Sequence, residues 1–287
     1  MALFSTLLLF IVPALASELS GVALPSVGLY SLIIAAQVFA FIALPGLAAV
    51  VELAQRAGGT PYPADPSRRL VSTGPYAFLS NPMQATGTVL LLAIGIWLWY
   101  WPLLLASAVA LGFSATWFSL AETKSDAPEW EEYRSTHRAW VPRSKPVFRS
   151  DYNAAVFFDG GCAKCREVGD VFAALDPIQI DVRDARFAHG KTMHRVTYRW
   201  WIGEEPDWDN VAENSPEYSY GQLVGVRAIG AGLDHINLLW TSFGWALRLW
   251  PVSVVAQWVS DTFIEAPHAA LKPTGSERQP WSPQVPV

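Results

Sequence analysis

Apolar residues run almost without interruption from Leu29 to Val51, where Gln37 is the one large polar side chain. A stretch of this kind is long enough, at about 1.5 Å per helical residue, to cross about 30 Å of hydrocarbon. Met83 to Leu120 forms a second apolar block, interrupted by Trp97, Trp99, Tyr100, Trp101 and Pro102. Aromatic rings favour the membrane interface, so this block predicts a hairpin of two spans, near 84–100 and 102–121, with its turn in an aromatic belt. Ala2 to Ala16 is apolar as well and ends in Ala-Leu-Ala-Ser. No Lys or Arg precedes it, which favours a short membrane helix over a cleaved signal.

The pattern changes after residue 122. Ala127 to Arg149 is charged and contains Trp130, Trp140, Pro142 and Pro146, as expected of an interfacial helix followed by a linker. An apolar run from Ala154 to Phe158 then reads as a strand, and Val168, Val171, Phe172 and Leu175 fall at helical spacing. Ile178 to Ala185 predicts a second strand, and the acidic segment Gly203–Glu217 is either a solvated loop or a dock for a basic partner. Leu238 to Phe263 carries only Arg248 and Asp261 as charges. Period alone leaves it open whether this segment is a pair of core helices or rests on a membrane surface. The Pro-rich residues 266–287 have the composition of a disordered tail.

Composition sharpens this picture. Of the 287 residues 52% are hydrophobic and 16% charged, too apolar for an ordinary soluble chain. A net charge of -5 with no long basic run argues against nucleic acid as a partner. Arg56, Arg68 and Arg69 lie between the second and third spans, whereas Ser17–Gly28 has no Lys or Arg. The positive-inside rule therefore puts residues 55–82, the N-terminus and everything after Glu122 on the cytoplasmic side.

The chain's two cysteines, Cys162 and Cys165, sit in Phe158-Asp159-Gly160-Gly161-Cys162-Ala163-Lys164-Cys165. A strand, a tight Gly turn and a helix N-terminus are predicted in succession here. Free N–H groups and the helix dipole at such an N-terminus stabilise a thiolate. Zinc would need about four ligands, and His189 and His194 do not form a matched pair, so no metal is expected. The pattern Phe-Asp-Gly-x-Cys-x-x-Cys resembles the signature of the DCC family, small thioredoxin-like thiol-disulfide oxidoreductases, over roughly the last half of the chain. That resemblance implies Cys162 as attacking thiol, Cys165 as resolving thiol and Asp159 as the residue shaping the turn.

A second motif lies at the membrane edge. Gly74-Pro75-Tyr76 and Ser80-Asn81-Pro82-Met83 precede the hairpin, and Ala121-Glu122, Tyr133 and Val141-Pro142-Arg143 follow it. Their order over about residues 30–146 resembles the isoprenylcysteine carboxyl methyltransferase superfamily, which includes phospholipid N-methyltransferases. The resemblance implies S-adenosylmethionine as cofactor, held by Tyr76, Asn81, Pro82, Glu122, Tyr133 and Arg143. The family's Arg-His-Pro-x-Tyr is here Ser80-Asn81-Pro82-Met83-Gln84, and its Glu pair is Ala121-Glu122. Asn81 can hydrogen-bond a ligand but cannot serve as an imidazole acid or base.

These readings combine into an α-helical membrane domain of about four transmembrane helices followed by a small α/β thioredoxin-like domain. The expected divisions are 1–146 for the membrane part, 147–265 for the thiol domain and 266–287 for the tail. The function they imply is a membrane-anchored thiol-disulfide oxidoreductase fused to a methyltransferase-like domain, coupling redox chemistry to methylation of a thiol, carboxyl or lipid acceptor. Its partners would be the lipid bilayer and a protein thiol or disulfide. The alternatives are a non-catalytic accessory subunit of a larger membrane complex and an NADPH-dependent membrane reductase.

Overall fold

A computed structural model describes residues 11–23, 25–57, 69–122, 128–188, 193–208 and 219–263, with the side chains of 12, 13, 16, 57, 117–122, 128 and 263 left out. The predicted segment Ala2–Ala16 is therefore covered only in its second part, where α1 (Val12–Ser20) forms. The tail 266–287, most of the loop 203–217 and His189 lie outside the described residues.

The helical half comprises α2 (Leu29–Glu52), α3 (Pro82–Trp97) and α4 (Trp101–Glu122), followed by the short α5 (Pro128–Thr136). Pro82 opens α3 at the first helical position, where its missing N–H costs nothing. The hairpin turn falls within the aromatic cluster, with Trp99 in the left-handed region at φ 52° and 90% exposed. The Tyr100 hydroxyl donates to the Val22 carbonyl at 2.9 Å, and Trp97 Nε1 donates to Ser31 Oγ at 3.1 Å, so the turn is pinned to the start of α2. Leu90, Leu91, Ile94, Tyr100 and Leu103 form the core of this bundle, while Leu32, Ile33, Val38, Phe41 and Phe113 face outward.

Among the described residues one helix, Leu29–Arg56, is long and apolar enough to cross a membrane. Pro82–Trp97 and Trp101–Thr116 are shorter apolar helices. Against the expected four spans, the described residues thus hold one full-length helix and two shorter apolar ones. The 16 residues of α3 fall below the roughly 20 that a bilayer core requires.

The second half is a small mixed α/β unit. Its strands are β1 (Tyr152–Phe158), β2 (Asp181–Asp184), β3 (Thr197–Ile202) and β4 (Tyr220–Val224), in the order β2-β1-β3-β4. β1 and β2 are parallel and joined through α6 (Ala163–Ala174), whereas β3 is antiparallel to both β1 and β4. The central β1 is apolar at successive positions because both of its faces are covered. On one face Val156 and Phe158 meet Phe172, Leu233 and Ile236; on the other Ala155 and Phe157 meet Trp201 and Trp208. Three helices complete the unit, α7 (Val226–Gly232), α8 (Leu238–Arg248) and α9 (Val252–Phe263).

A single hydrophobic cluster runs through both halves, joining Leu44 and Ala48 of α2, Ala77 and Phe78 of the intervening loop, Tyr152, Tyr198 and Trp200 of the sheet, and Trp245 of α8. The segment expected to be a linker supports this joint. Arg143 N–H donates to the Phe78 carbonyl at 3.0 Å and Val147 N–H to the Ala77 carbonyl at 2.8 Å. Phe148 stacks on Tyr152 and on His235.

Candidate functional sites

The thiol turn is built at the C-terminal edge of β1 and β2. Asp159 Oδ1 accepts the Gly161 N–H at 2.8 Å, and Cys162 N–H donates to the Asp159 carbonyl at 3.2 Å. Cys162 adopts extended backbone angles at the N-cap of α6, and its Sγ accepts the Cys165 N–H at 3.4 Å. Its sulfur thus takes the place that a Ser or Asp oxygen fills at an ordinary N-cap. Both thiols are half-buried.

Asp184, at the end of β2, holds the turn from the other side. Its Oδ1 accepts the Gly160 N–H at 3.3 Å, and its carboxylate takes the Arg186 guanidinium at 2.6 Å. Burial acts to raise the Asp184 carboxyl, but the Arg186 side chain and two backbone N–H groups outweigh it and hold it below the usual range. A Cβ at Gly160 would overlap the Asp184 carboxylate, so this close approach requires glycine.

At the membrane edge, Tyr76, Asn81, Pro82 and Tyr133 are all buried. The Tyr133 hydroxyl donates to the Tyr76 carbonyl at 3.0 Å, and Tyr133 stacks on His137 at 3.9 Å. The Arg143 guanidinium donates to the Thr136 carbonyl. Tyr76 packs among Ala49, Leu53, Val71 and Met83, and its hydroxyl has no hydrogen-bond partner among the described residues. Burial, with the Glu52 carboxylate adding, pushes that phenol above its ordinary range. Backbone at Glu122 belongs to α4; its side chain lies outside what is described.

These elements share one further finding. Residues 26–125 match the phospholipid methyltransferase family. The match spans α2, the Gly-Pro-Tyr turn, α3 and α4, and ends before Tyr133 and Arg143. It makes the helical half methyltransferase-like and sets it in a membrane context. No curated protein and no solved structure matches the chain. Methyltransferases of this class use S-adenosylmethionine, and the described residues suit that donor in part. The unpartnered Tyr76 hydroxyl is a group that a polar ligand would satisfy, whereas Tyr133 and Arg143 are spent on main-chain carbonyls. Among the described residues no group of His, Cys, Asp and Glu is arranged to hold a metal.

Where the halves meet lies a buried ionic network that the motifs do not announce. Glu52 Oε1 accepts from Arg248 at 2.7 Å, while its Oε2 accepts from Arg56 at 2.9 Å and from Thr73 at 3.0 Å. Arg248 also donates to Asp234 at 2.7 Å. Burial pushes the Asp234 carboxyl up to about 7 against the pull of Arg248. Arg56 lies over the Trp200 ring at 4.3 Å and reaches the Tyr152 hydroxyl at 3.5 Å. From there Tyr152 bonds Tyr198 at 2.6 Å, Tyr198 bonds His235 at 3.0 Å, and His235 Nδ1 donates to the Ile178 carbonyl at 2.7 Å. A cavity of about 470 Å³ opens beside the network, lined among others by Glu52, Arg56, Trp200, Arg227 and Arg248. The one sequence signal near it, unread as such, is that Glu52 and Arg56 stand i,i+4 at the end of an otherwise uncharged span; nothing local ties either to Arg248.

Proposed function

We propose that this chain is a membrane-anchored thiol-disulfide oxidoreductase, in which a thioredoxin-like domain is carried on a phospholipid-methyltransferase-like helical part of about four spans, with the thiol domain on the cytoplasmic side. The observation that carries the reading is the Cys162 N-cap, where a half-buried sulfur accepts the Cys165 N–H. A sulfur there faces the positive helix end and has a second thiol one turn away. The parallel β1-α6-β2 unit with two further antiparallel strands is the arrangement expected of a thioredoxin-like sheet.

In the forward direction the Cys162 thiolate attacks one sulfur of a partner's disulfide, forming a mixed disulfide and expelling the other sulfur as a thiolate. The Cys165 thiolate then attacks Cys162 Sγ and releases the second partner sulfur. The partner gains two electrons and the Cys162–Cys165 pair loses them. A partner dithiol would run the same steps in reverse.

The test is mass spectrometry of the detergent-solubilised full chain after mild oxidation. The expected product has lost two hydrogens through a Cys162–Cys165 disulfide, and Cys165→Ser traps a mixed disulfide on Cys162 with a small aromatic disulfide. Equal alkylation of both thiols, no internal disulfide and no trapped adduct together would sink the assignment.

A second reading concerns the helical half. With Tyr133 and Arg143 bound to carbonyls and α2 locked into the common core, a scaffold role in a larger membrane complex competes with methyl transfer. In the catalytic version Tyr76, Asn81 and Glu122 would hold S-adenosylmethionine, which supplies the methyl group to a thiol, carboxyl or lipid acceptor. The helices would contribute positioning and water exclusion. Copurification as a stoichiometric member of a complex, without binding of the methyl donor, favours the scaffold.

A further inference from the structure

α9 wears its polarity inside out. Its inward side is polar: Ser253 is buried, Gln257 accepts the Val226 N–H at 2.9 Å and donates to Asp261 at 2.7 Å, and Asp261 pairs with Arg195 at 2.6 Å. Its outward side carries Val254, Val255, Trp258 and Val259, all exposed, with Trp258 at 64%. These positions recur at the spacing of one helical face. An amphipathic helix on a water-facing domain does the reverse and turns its apolar stripe to the core.

The neighbouring α8 extends the same face. Thr241, Gly244 and Trp245 point inward, whereas Leu239, Trp240 and Phe243 are exposed. Trp250, in the turn between the helices, is 80% exposed. Both charges of the segment are turned away, since Arg248 binds Glu52 and Asp234 while Asp261 binds Arg195. The result is an uncharged band of Leu, Val, Phe and Trp, larger than the scattered apolar side chains of an ordinary soluble surface.

We infer that the outward face of α8 and α9 is a lipid-bilayer contact, so that the second half of the chain lies against the membrane on a built surface and is not held to it by its chain connection alone. Continuity argues for lipid as the occupant. Trp245 on the inner side of α8 packs with Leu44 and Ala48 of α2. Leu44 stands about three turns before Arg56, roughly 18 Å along the helix axis. α8 therefore flanks the last turns of α2, the helix long and apolar enough to cross a membrane among the described residues, whose preceding turns expose Val38 and Phe41. Three exposed indoles at 240, 250 and 258 suit the interfacial zone, where one edge of the ring meets headgroups and the other acyl chains.

The experiment places a nitroxide spin label at residue 243, 255 or 258 of the full chain, in a Cys162→Ser, Cys165→Ser background reconstituted in nanodiscs of phosphatidylcholine and phosphatidylglycerol. Exposed Glu204 provides the control position. The expected result is relaxation enhanced by oxygen more than by a water-soluble nickel chelate at 243, 255 and 258, and the opposite order at 204. Greater enhancement by the chelate at all three sites would overturn the inference in favour of a water-facing surface. Exclusion of both reagents would overturn it in favour of a second copy or a protein partner. The labelled side chains already point outward, so they leave the core undisturbed. The outcome does not depend on whether the thiols are redox-active.

Discussion

His235 shows how burial sets chemistry one residue at a time. Its ring is fully buried, with Nδ1 donating to the Ile178 carbonyl and Nε2 facing the Tyr198 hydroxyl, so the neutral tautomer is satisfied at both nitrogens. Burial pushes its pKa down to about 3 from an ordinary 6.5, and Arg56 and Arg248 act in the same direction. The unfolded chain therefore binds a proton that the folded one refuses across that window. Stability from this residue is complete above about 6.5 and is lost as the pH falls toward 3. We expect the melting temperature to fall more steeply between pH 6.5 and 5 in the wild type than in His235→Phe, measured by tryptophan fluorescence in detergent. His137, also held low chiefly by burial, contributes to both proteins and cancels in the comparison. Parallel pH profiles would contradict the account.

At the scale of elements, close approaches between backbones decide the packing. A Cβ at Gly244 of α8 would overlap the Gly230 carbonyl of α7, which is backbone and cannot swing aside. Gly244→Ala should therefore push the two helices apart and destabilise the protein by about 1–3 kcal/mol, the usual cost of overpacking. Thermal unfolding checks this, and an unchanged midpoint would show that the helices have room to separate. The same logic fixes the thiol turn, where Gly160 leaves space for the Asp184 carboxylate. Periodicity foretold these elements well. The apolar run at Leu29–Val51 became α2, and the run at Ala154–Phe158 became β1. The expected strand at 178–185 shortened to Asp181–Asp184: Gln179 sits in the left-handed region at φ 54° ahead of its start, and Asp184 at its end caps the following turn through the Arg186 N–H.

Across the whole molecule, the ionic joint and the membrane site make separate predictions. Arg248 pairs with both Glu52 and Asp234 in a buried setting, so Arg248→Met strips Asp234 of its cation and leaves Glu52 with Arg56 alone. Breaking such a pair by removing one partner costs about 3–5 kcal/mol. Arg248→Met with Asp234→Asn should recover part of that loss in a thermal-shift series, and no recovery would mean that Asp234 is not coupled to Arg248. For the methyltransferase-like half, calorimetry on solubilised protein is expected to show weak, saturable binding of S-adenosylmethionine that Glu122→Ala abolishes. The replaced His and Tyr of the family motif each remove contacts, at about 1–3 kcal/mol apiece. Heat with NADPH in place of the methyl donor would support the reductase alternative, and heat with neither the scaffold. Orientation is checked in intact cells: a membrane-impermeant maleimide should leave Cys162 unlabelled, and rapid labelling from outside would invert the topology.

Hydrophobic periodicity and a few motifs were enough to read, from residue order alone, a helical membrane-type half, a strand-turn-helix around Cys162 and Cys165, and a Gly-Pro-Tyr edge motif. Each of these is local, and neighbouring residues dictate it through side-chain period, turn chemistry and chain stiffness. The joint between the halves was invisible at that level. Glu52 and Arg248 meet across 196 positions, and no local pattern marks either as the partner of the other. Folding alone brought them together, turned Tyr133 and Arg143 onto carbonyls, and faced Val255 and Trp258 outward. Those outcomes depend on which surfaces remain uncovered after the sheet and helices have packed, a property of the assembled core and of no single stretch of chain.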